Sequence, residues 1–237
     1  AAQKPQPSTP RTRRLKEAYM GHRPSICAER GVLVTESYQK TEALPPVLRQ
    51  AMAFDRVLSE MPIWIQDGEL IVANIASRPR GAFTFPEYDD TWLRKEMDTI
   101  STRKSDPWLL SDEDKARIKD CMEYWQGRNL VAIADALSTD EVKQAERATF
   151  MSIRMAKQEG VGHIAPDIEG VISRGLNACI DAAEEHIRRL DLANPDDYAR
   201  LPFLRAVVIA DKAVVKWAGR FASLAREVPH GVLIAAH

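Results

Sequence analysis

Two side chains in the stretch FMSIRMAKQEGVGHIAPD, residues 150–167, are of types that can grip an anion. Arg154 carries a guanidinium that stays charged and presents a planar fork of donors, a match for tetrahedral oxyanions. Gln158 adds a neutral amide donor. Four residues apart on a helix, the two project from one face. A Gly-Val-Gly-His turn follows at Gly160 to His163, where glycine lets the backbone come close to whatever the pair holds. Arg147 and Lys157 lie nearby, so the same residues also read as a solvated helix face. Residue types and spacing leave both readings open. A lone histidine such as His163 is more often structural than catalytic.

Other chemistry is sparse. The chain has no Gly-rich phosphate loop, no HExxH and no GxSxG. Cys27, Cys121 and Cys179 are widely spaced with no CxxC, which argues against a disulfide framework and a zinc site and fits a reducing cytoplasm. Asp89-Asp90 and the acids of Ser111-Asp-Glu-Asp read as turn and capping charges. Glu184, Glu185 and His186 have no second cluster to complete a metal site. Trp64, Trp92, Trp108, Trp125 and Trp217 are scattered and read as core anchors rather than a stacking platform.

With 237 residues, 45% of them hydrophobic and 28% charged, the chain has enough apolar residues for a packed core. A net charge of −1 creates no field that would draw nucleic acid or a membrane surface. The first thirty residues are basic, with seven Lys and Arg from Lys4 to Arg30 against Glu17 and Glu29. A nucleic-acid arm is one reading of this and a solvated first helix the simpler one. No apolar run approaches the roughly 20 residues of a membrane span, and no signal-peptide core is present.

The elements that must position these residues are mainly helical. Residues 1–10 form a polar, proline-rich tail, expected to be disordered. A short helix follows and stops near Gly21. Ser25 is a candidate N-cap for the next. Val47, Leu48, Ala51, Phe54, Leu58 and Met61 predict a helix over 45–60. IWIQDGELIVANIA places two apolar runs around Asp67-Gly68, the pattern of a β-hairpin. TWLRKEMDTI fits a helix of two to three turns. Ser111 with Asp114 resembles a capping box opening a helix over 112–126, stopped by Gly127. Ser138 with Glu141 repeats the device for a helix over 140–157. Ile168, Ile172, Leu176, Cys179, Ala183, Ile187 and Leu190 form one stripe of a helix over 167–190, which makes Cys179 a core residue. Asn194-Pro195-Asp196 starts another helix, which Pro202 should break. From Phe203, residues Val207, Ala210, Val214, Trp217, Phe221 and Leu224 form a further apolar stripe on a helix over 203–226. The fold class is therefore mainly α with a small β element.

Four stretches in order resemble the N-terminal part of glycyl radical enzymes of the pyruvate formate-lyase type. They are RPSICAERGVLVTESYQKTEALPPVLRQAMAF, MPIWIQDGELIVANI, RGAFTFPEY and GVGHIAPDIEGVISRGLNACI, and the similarity covers roughly residues 11 to 227. The resemblance implies the N-terminal portion of a ten-stranded α/β barrel, with residues 11–237 an incomplete domain. It implies a glycyl radical in the parent enzyme, installed by an activating enzyme that uses S-adenosylmethionine and an iron–sulfur cluster, and no cofactor bound by this segment. The cysteine–glutamate and radical-glycine motifs of the family are not in this chain, so no catalytic residue is expected here and the segment alone should not catalyse. In the branch that cleaves isethionate to acetaldehyde and sulfite, an arginine and a glutamine four apart hold the sulfonate. Arg154 and Gln158 are similarly placed, with His163 a possible pocket-lining residue. Choline cleavage, which needs partners for a quaternary ammonium, and diol or hydroxyproline dehydration are the family's alternatives. Outside it stands a helical interaction module without catalysis. The implied partners are a small sulfonate, the activating enzyme, the rest of the barrel and a second copy in a homodimer, with no nucleic acid and no membrane. The implied location is the cytoplasm, with a bacterial microcompartment as one setting.

Overall fold

The computed structural model describes residues 9–74, 76–148 and 166–227. In chain order the helices are α1 (Pro10–Gly21), α2 (Glu29–Lys40), α3 (Pro46–Glu60), α4 (Thr91–Glu96), α5 (Asp112–Trp125), α6 (Leu130–Leu137), α7 (Asp140–Ala148), α8 (Ile168–Arg189) and α9 (Pro195–Glu227). Two short strands, β1 (Ser25–Cys27) and β2 (Gly81–Phe83), pair in parallel. A mainly helical chain with one small β element is what the sequence predicts.

The β element lies elsewhere than expected. Gly68 does turn, with φ +87°, but its apolar flanks form no strand pair among the described residues. Side chains hold that loop instead. Trp64 Nε1 donates to the Ala76 carbonyl at 3.0 Å, and Arg11 Nη1 donates to the Gly68 carbonyl at 3.0 Å. Ile71 stands 92% exposed. The ladder joins Ser25 to Gly81, Ile26 to Ala82 and Cys27 to Phe83. Parallel strands need a long crossover, and residues 28–80 supply it. Ser25 is therefore a strand residue and not a helix cap. Helix α2 starts after Ala28 with no side-chain cap.

Capping chemistry sets several other boundaries. Ser111 Oγ accepts from the Asp114 amide at 3.0 Å, three acids fill the first turn of α5, and Gly127 follows its end at φ +71°. At α7 the cap is Thr139, whose hydroxyl accepts from the Val142 amide at 3.3 Å. The expected cap, Ser138, donates to the Ala134 carbonyl and belongs to the end of α6.

The main core gathers Ile26, Ala28, Leu93, Met97, Ile100, Ile118 and Met122 around the sheet. A second cluster joins Val34, Ala53 and Trp125, with the indole N–H donating to Thr35 Oγ1 at 2.9 Å. Asp114 is more than a capping charge. It is buried and pairs with Arg78 at 2.7 Å and Arg117 at 3.6 Å; both arginines also approach Glu29. This network ties the start of α2 to the start of α5. Trp125 is a core anchor as expected, whereas Trp92 is 48% exposed.

Helices α8 and α9 pack on each other, and α9 packs along α3. Both predicted stripes shift. Helix α8 is broken at Gly175 (φ +74°, ψ 164°), a conformation open only to glycine. The break turns the first half away, so Ile168 and Ile172 are exposed, whereas Ile180 and Ala183 of the second half are buried. Helix α9 runs through Pro202 without stopping. Buried Leu201 and Ala206 lie on either side of the proline. The buried line of α9 is Leu201, Ala206, Ala213, Phe221 and Ala225; Phe203 faces outward. Small residues there let the helices approach closely. Arg220 then locks the contact, donating to the carbonyls of Leu58 and Met61, each at 2.6 Å, at the end of α3.

Candidate functional site

Arg154, Gln158 and His163 lie outside the described residues. The elements on either side of them are fixed. Helix α7 ends at Ala148, and α8 begins at Ile168 with Asp167 as its N-cap, accepting from the Gly170 amide at 2.9 Å. A Cβ at Gly170 would fall 2.0 Å from the exposed Asp167 carboxylate, so a side chain there would push the capping group aside. The predicted helix over 140–157 is seen as far as Ala148.

Cys27 and Cys121 do not have the setting of a reactive thiolate. Cys27 is fully buried and donates to the Ala82 carbonyl at 3.4 Å. Burial pushes its thiol up, more than hydrogen bonds from Ser77 bring it down. Burial pushes the Cys121 thiol up in the same way. Cys179 is half-buried on α8, between core and surface. Among the described residues no group of three or more His, Cys, Asp or Glu could hold a metal ion.

The described residues do build one large concave site, of about 1270 Å³, which the sequence reading missed. It lies where the end of α2, the start of α3, the segment after β2 and the end of α5 meet. Three guanidiniums border it, each over an aromatic ring. Arg30 lies 4.1 Å from the Phe85 centroid, Arg49 4.5 Å from that of Tyr38, and Arg128 4.9 Å from that of Tyr124. Arg30 pairs with Glu87 at 2.5 Å and Arg128 with Glu42 at 3.1 Å. Arg49 pairs with no carboxylate among the described residues. Its Nη2 donates to the Tyr38 carbonyl at 2.9 Å and reaches Tyr124 Oη at 3.5 Å, and its Nε is buried with no partner. Burial pushes the Tyr38 phenol up against the pull of Arg49. Rings of Tyr38, Trp125 and Tyr124 pack edge to face behind these groups. The only sequence signal for the site was Arg49 on the apolar helix α3. Its aromatic partners come from segments 11 and 75 positions away.

Comparison with known proteins places this geometry in a lineage. Residues 5–230 match the family model described as pyruvate formate lyase-like. The chain is 31% identical over 228 residues to isethionate sulfite-lyase of Desulfovibrio desulfuricans, covering 92% of this chain and 27% of that one. It is 30% identical over 223 residues to (2S)-3-sulfopropanediol dehydratase of Klebsiella oxytoca, again 92% and 27%. Among solved structures, the glycerol-bound B12-independent glycerol dehydratase of Clostridium butyricum superposes with a TM-score of 0.89 at 32% identity, over 96% of this chain and 29% of that one. The chain thus spans little more than a quarter of the length of the relatives it matches.

Proposed function

The chain belongs to the pyruvate formate lyase-like family, and on that premise we propose that it is the N-terminal part, residues 11–237, of a glycyl radical carbon–sulfur lyase that binds isethionate through Arg154 and Gln158. The observation that carries the reading is the Arg154–Gln158 pair in a chain about 30% identical to enzymes whose names specify two sulfonates. A sulfonate spreads one negative charge over three oxygens. The guanidinium fork meets two of them and the amide of Gln158 a third, while Gly160 and Gly162 let the backbone and His163 approach. What this segment supplies is binding and orientation, which lower the barrier by placing the reacting carbon in reach. The radical, its cysteine relay and the glutamate base belong to the remainder of the lyase, as do the contacts with an activating enzyme and a second subunit. No helix among the described residues is long and apolar enough to cross a membrane.

The test uses the full-length lyase that carries this segment. Arg154→Lys keeps the charge but loses the fork, removing one or two charge-assisted hydrogen bonds of about 1.5–3 kcal/mol each. Sulfite release from isethionate should fall roughly tenfold to a hundredfold or more in kcat/KM, with the glycyl radical signal in electron paramagnetic resonance unchanged. Undiminished sulfite release would return Arg154 to the solvated helix face. A second reading, dehydration of a diol, is favoured by the likeness to the glycerol dehydratase. It predicts loss of water from glycerol or 3-sulfopropanediol with no sulfite released.

A further inference from the structure

Gly175 splits α8 into two halves of different standing. The second half is anchored: Ile180 and Ala183 are buried, and Glu184 pairs with Lys212 of α9 at 2.6 Å. The first half, from Ile168 to Arg174, adds almost nothing to a core, since Ile168, Val171 and Ile172 are exposed and only Gly170 is buried. It is nonetheless a regular unit with its own cap, Asp167 accepting from the Gly170 amide at 2.9 Å. We propose that the break at Gly175 aims this first half, and through it the chain that carries Arg154 and Gln158, so that Gly175 is a positioning residue for the anion site. The inference rests on the reading of that pair as a sulfonate clamp.

Space does not explain the glycine. A Cβ at Gly175 would meet nothing within 4 Å. The same is true of Gly219 in α9, but Gly219 has no positive φ. Gly175 therefore supplies a backbone conformation alone, φ +74° and ψ 164°, which is essentially closed to residues with a Cβ. Burial does not explain it either. A break that served the core would turn apolar residues inward, and this one leaves Ile168 and Ile172 in solvent. Helix stability argues against it, because glycine is a poor helix former and a break gives up hydrogen bonds that a straight helix keeps. What remains is direction.

Direction matters here because of what the first half is joined to. Asp167 follows His163 by four positions and Gln158 by nine. The eight-residue step from Asp167 to Gly175 is a lever of about 12 Å at about 1.5 Å per residue. Turning such a lever by about 10° moves its end by about 2 Å. A misplacement of about 1 Å can cost about a hundredfold in rate. A guanidinium fork that must meet two oxygens of one sulfonate loses its second hydrogen bond under a shift of that size.

The experiment measures isethionate binding to the full-length lyase before activation, by isothermal titration calorimetry, with the melting temperature recorded for every variant. Gly175→Ala should weaken binding about tenfold or more while the enzyme stays folded at the assay temperature. Gly219→Ala, at a glycine in ordinary helical backbone, should leave binding unchanged. After activation, Gly175→Ala should show the wild-type radical signal and a raised KM for isethionate. A second variant separates direction from foldability. Arg174→Gly combined with Gly175→Ala keeps a glycine able to break the helix but places it one residue early, about 100° round the axis. Its lost arginine made only an exposed ion pair with Asp167. This double variant should also bind weakly. Wild-type binding by either variant would overturn the proposal, because the glycine would then serve only as a flexible joint or a local fit. The double variant decides the matter if Gly175→Ala alone does not fold. Arg154→Lys, measured alongside, keeps the two readings apart. Weak binding by Arg154→Lys with full binding by Gly175→Ala sinks the positioning role and leaves the clamp. Full binding by Arg154→Lys removes the clamp and the positioning role with it.

Discussion

The region around the parallel ladder and the arm formed by α8 and α9 are built on different principles. In the first, large apolar side chains from three stretches of chain meet: Ile26 of β1, Leu93 and Ile100 of α4 and the turn after it, and Ile118 and Met122 of α5 are all buried together. Charges there are buried and paired, with Asp114 between two arginines. In the arm, the buried residues are mostly small, Gly170, Ala183, Ala206, Ala213 and Ala225, and Ile168, Ile172 and Phe203 face outward. The difference teaches that one region closes on itself, whereas the other is a surface laid against α3 with its outer face open.

Truncation should separate the two regions most sharply. Ile100, 1% exposed, should cost about 2–5 kcal/mol as Ile100→Ala, read as a lower urea midpoint by tryptophan fluorescence. A loss under 1 kcal/mol would mean that the ladder region is as loosely packed as the arm. Enlargement tests the arm in the opposite sense. Ala213 is 0% exposed, and Ala213→Leu should cost about 1–3 kcal/mol by overpacking and raise protease cleavage within α9. Unchanged cleavage would show that the contact can yield. A smaller effect comes from the caps. Ser111→Ala removes the hydroxyl that accepts from Asp114 and should cost about 1 kcal/mol in thermal unfolding followed by far-ultraviolet circular dichroism. The smallest change in stability belongs to the open face. Ile172, 80% exposed, should shift stability by less than about 0.5 kcal/mol as Ile172→Ser, yet lower the binding of a hydrophobic dye. A large loss of stability there would erase the contrast between the regions.

How legible each region was in the sequence follows the same divide. Local chemistry was readable. Ser111 before three acids and the apolar spacing from Val47 to Met61 each gave a helix close to its observed bounds, and Asn194 before Pro195 gave the start of α9 though not its passage through Pro202. Long-range pairing was not. Nothing within Ser25–Cys27 says that its partner lies 56 residues on, and three buried residues are too few to show a period. The Asp67-Gly68 pattern gave the turn but not the absence of strands, because the loop is held by Trp64 and Arg11 rather than by a ladder. In the arm, the spacing rule located both helices but only part of their buried faces: Ala183 and Phe221 lie inward as expected, whereas Ile168, Ile172 and Phe203 do not. One glycine at a positive φ rotates half of α8, and close approach through Ala206, Ala213 and Ala225 shifts the buried line of α9. The Arg49 groove was invisible for a similar reason, since its rings converge only in three dimensions. Arg154, Gln158 and His163 lie outside the described residues; their types and spacing left an anion clamp and a solvated face both open, and only the resemblance to a family favoured the clamp.

Arg220 has a consequence for how the chain is made. Its two hydrogen bonds reach back 159 and 162 positions to the end of α3. At a synthesis rate of roughly 5–20 residues per second, α3 leaves the ribosome about 8 to 30 seconds before the residue that latches α9 over it. For that interval the nascent chain carries an apolar helix face that its own later sequence is destined to cover, long enough for chaperones to find it. Ribosome-bound chains halted ahead of residue 220 should be cut by protease in α3, and chains that extend past α9 and have cleared the exit tunnel should not.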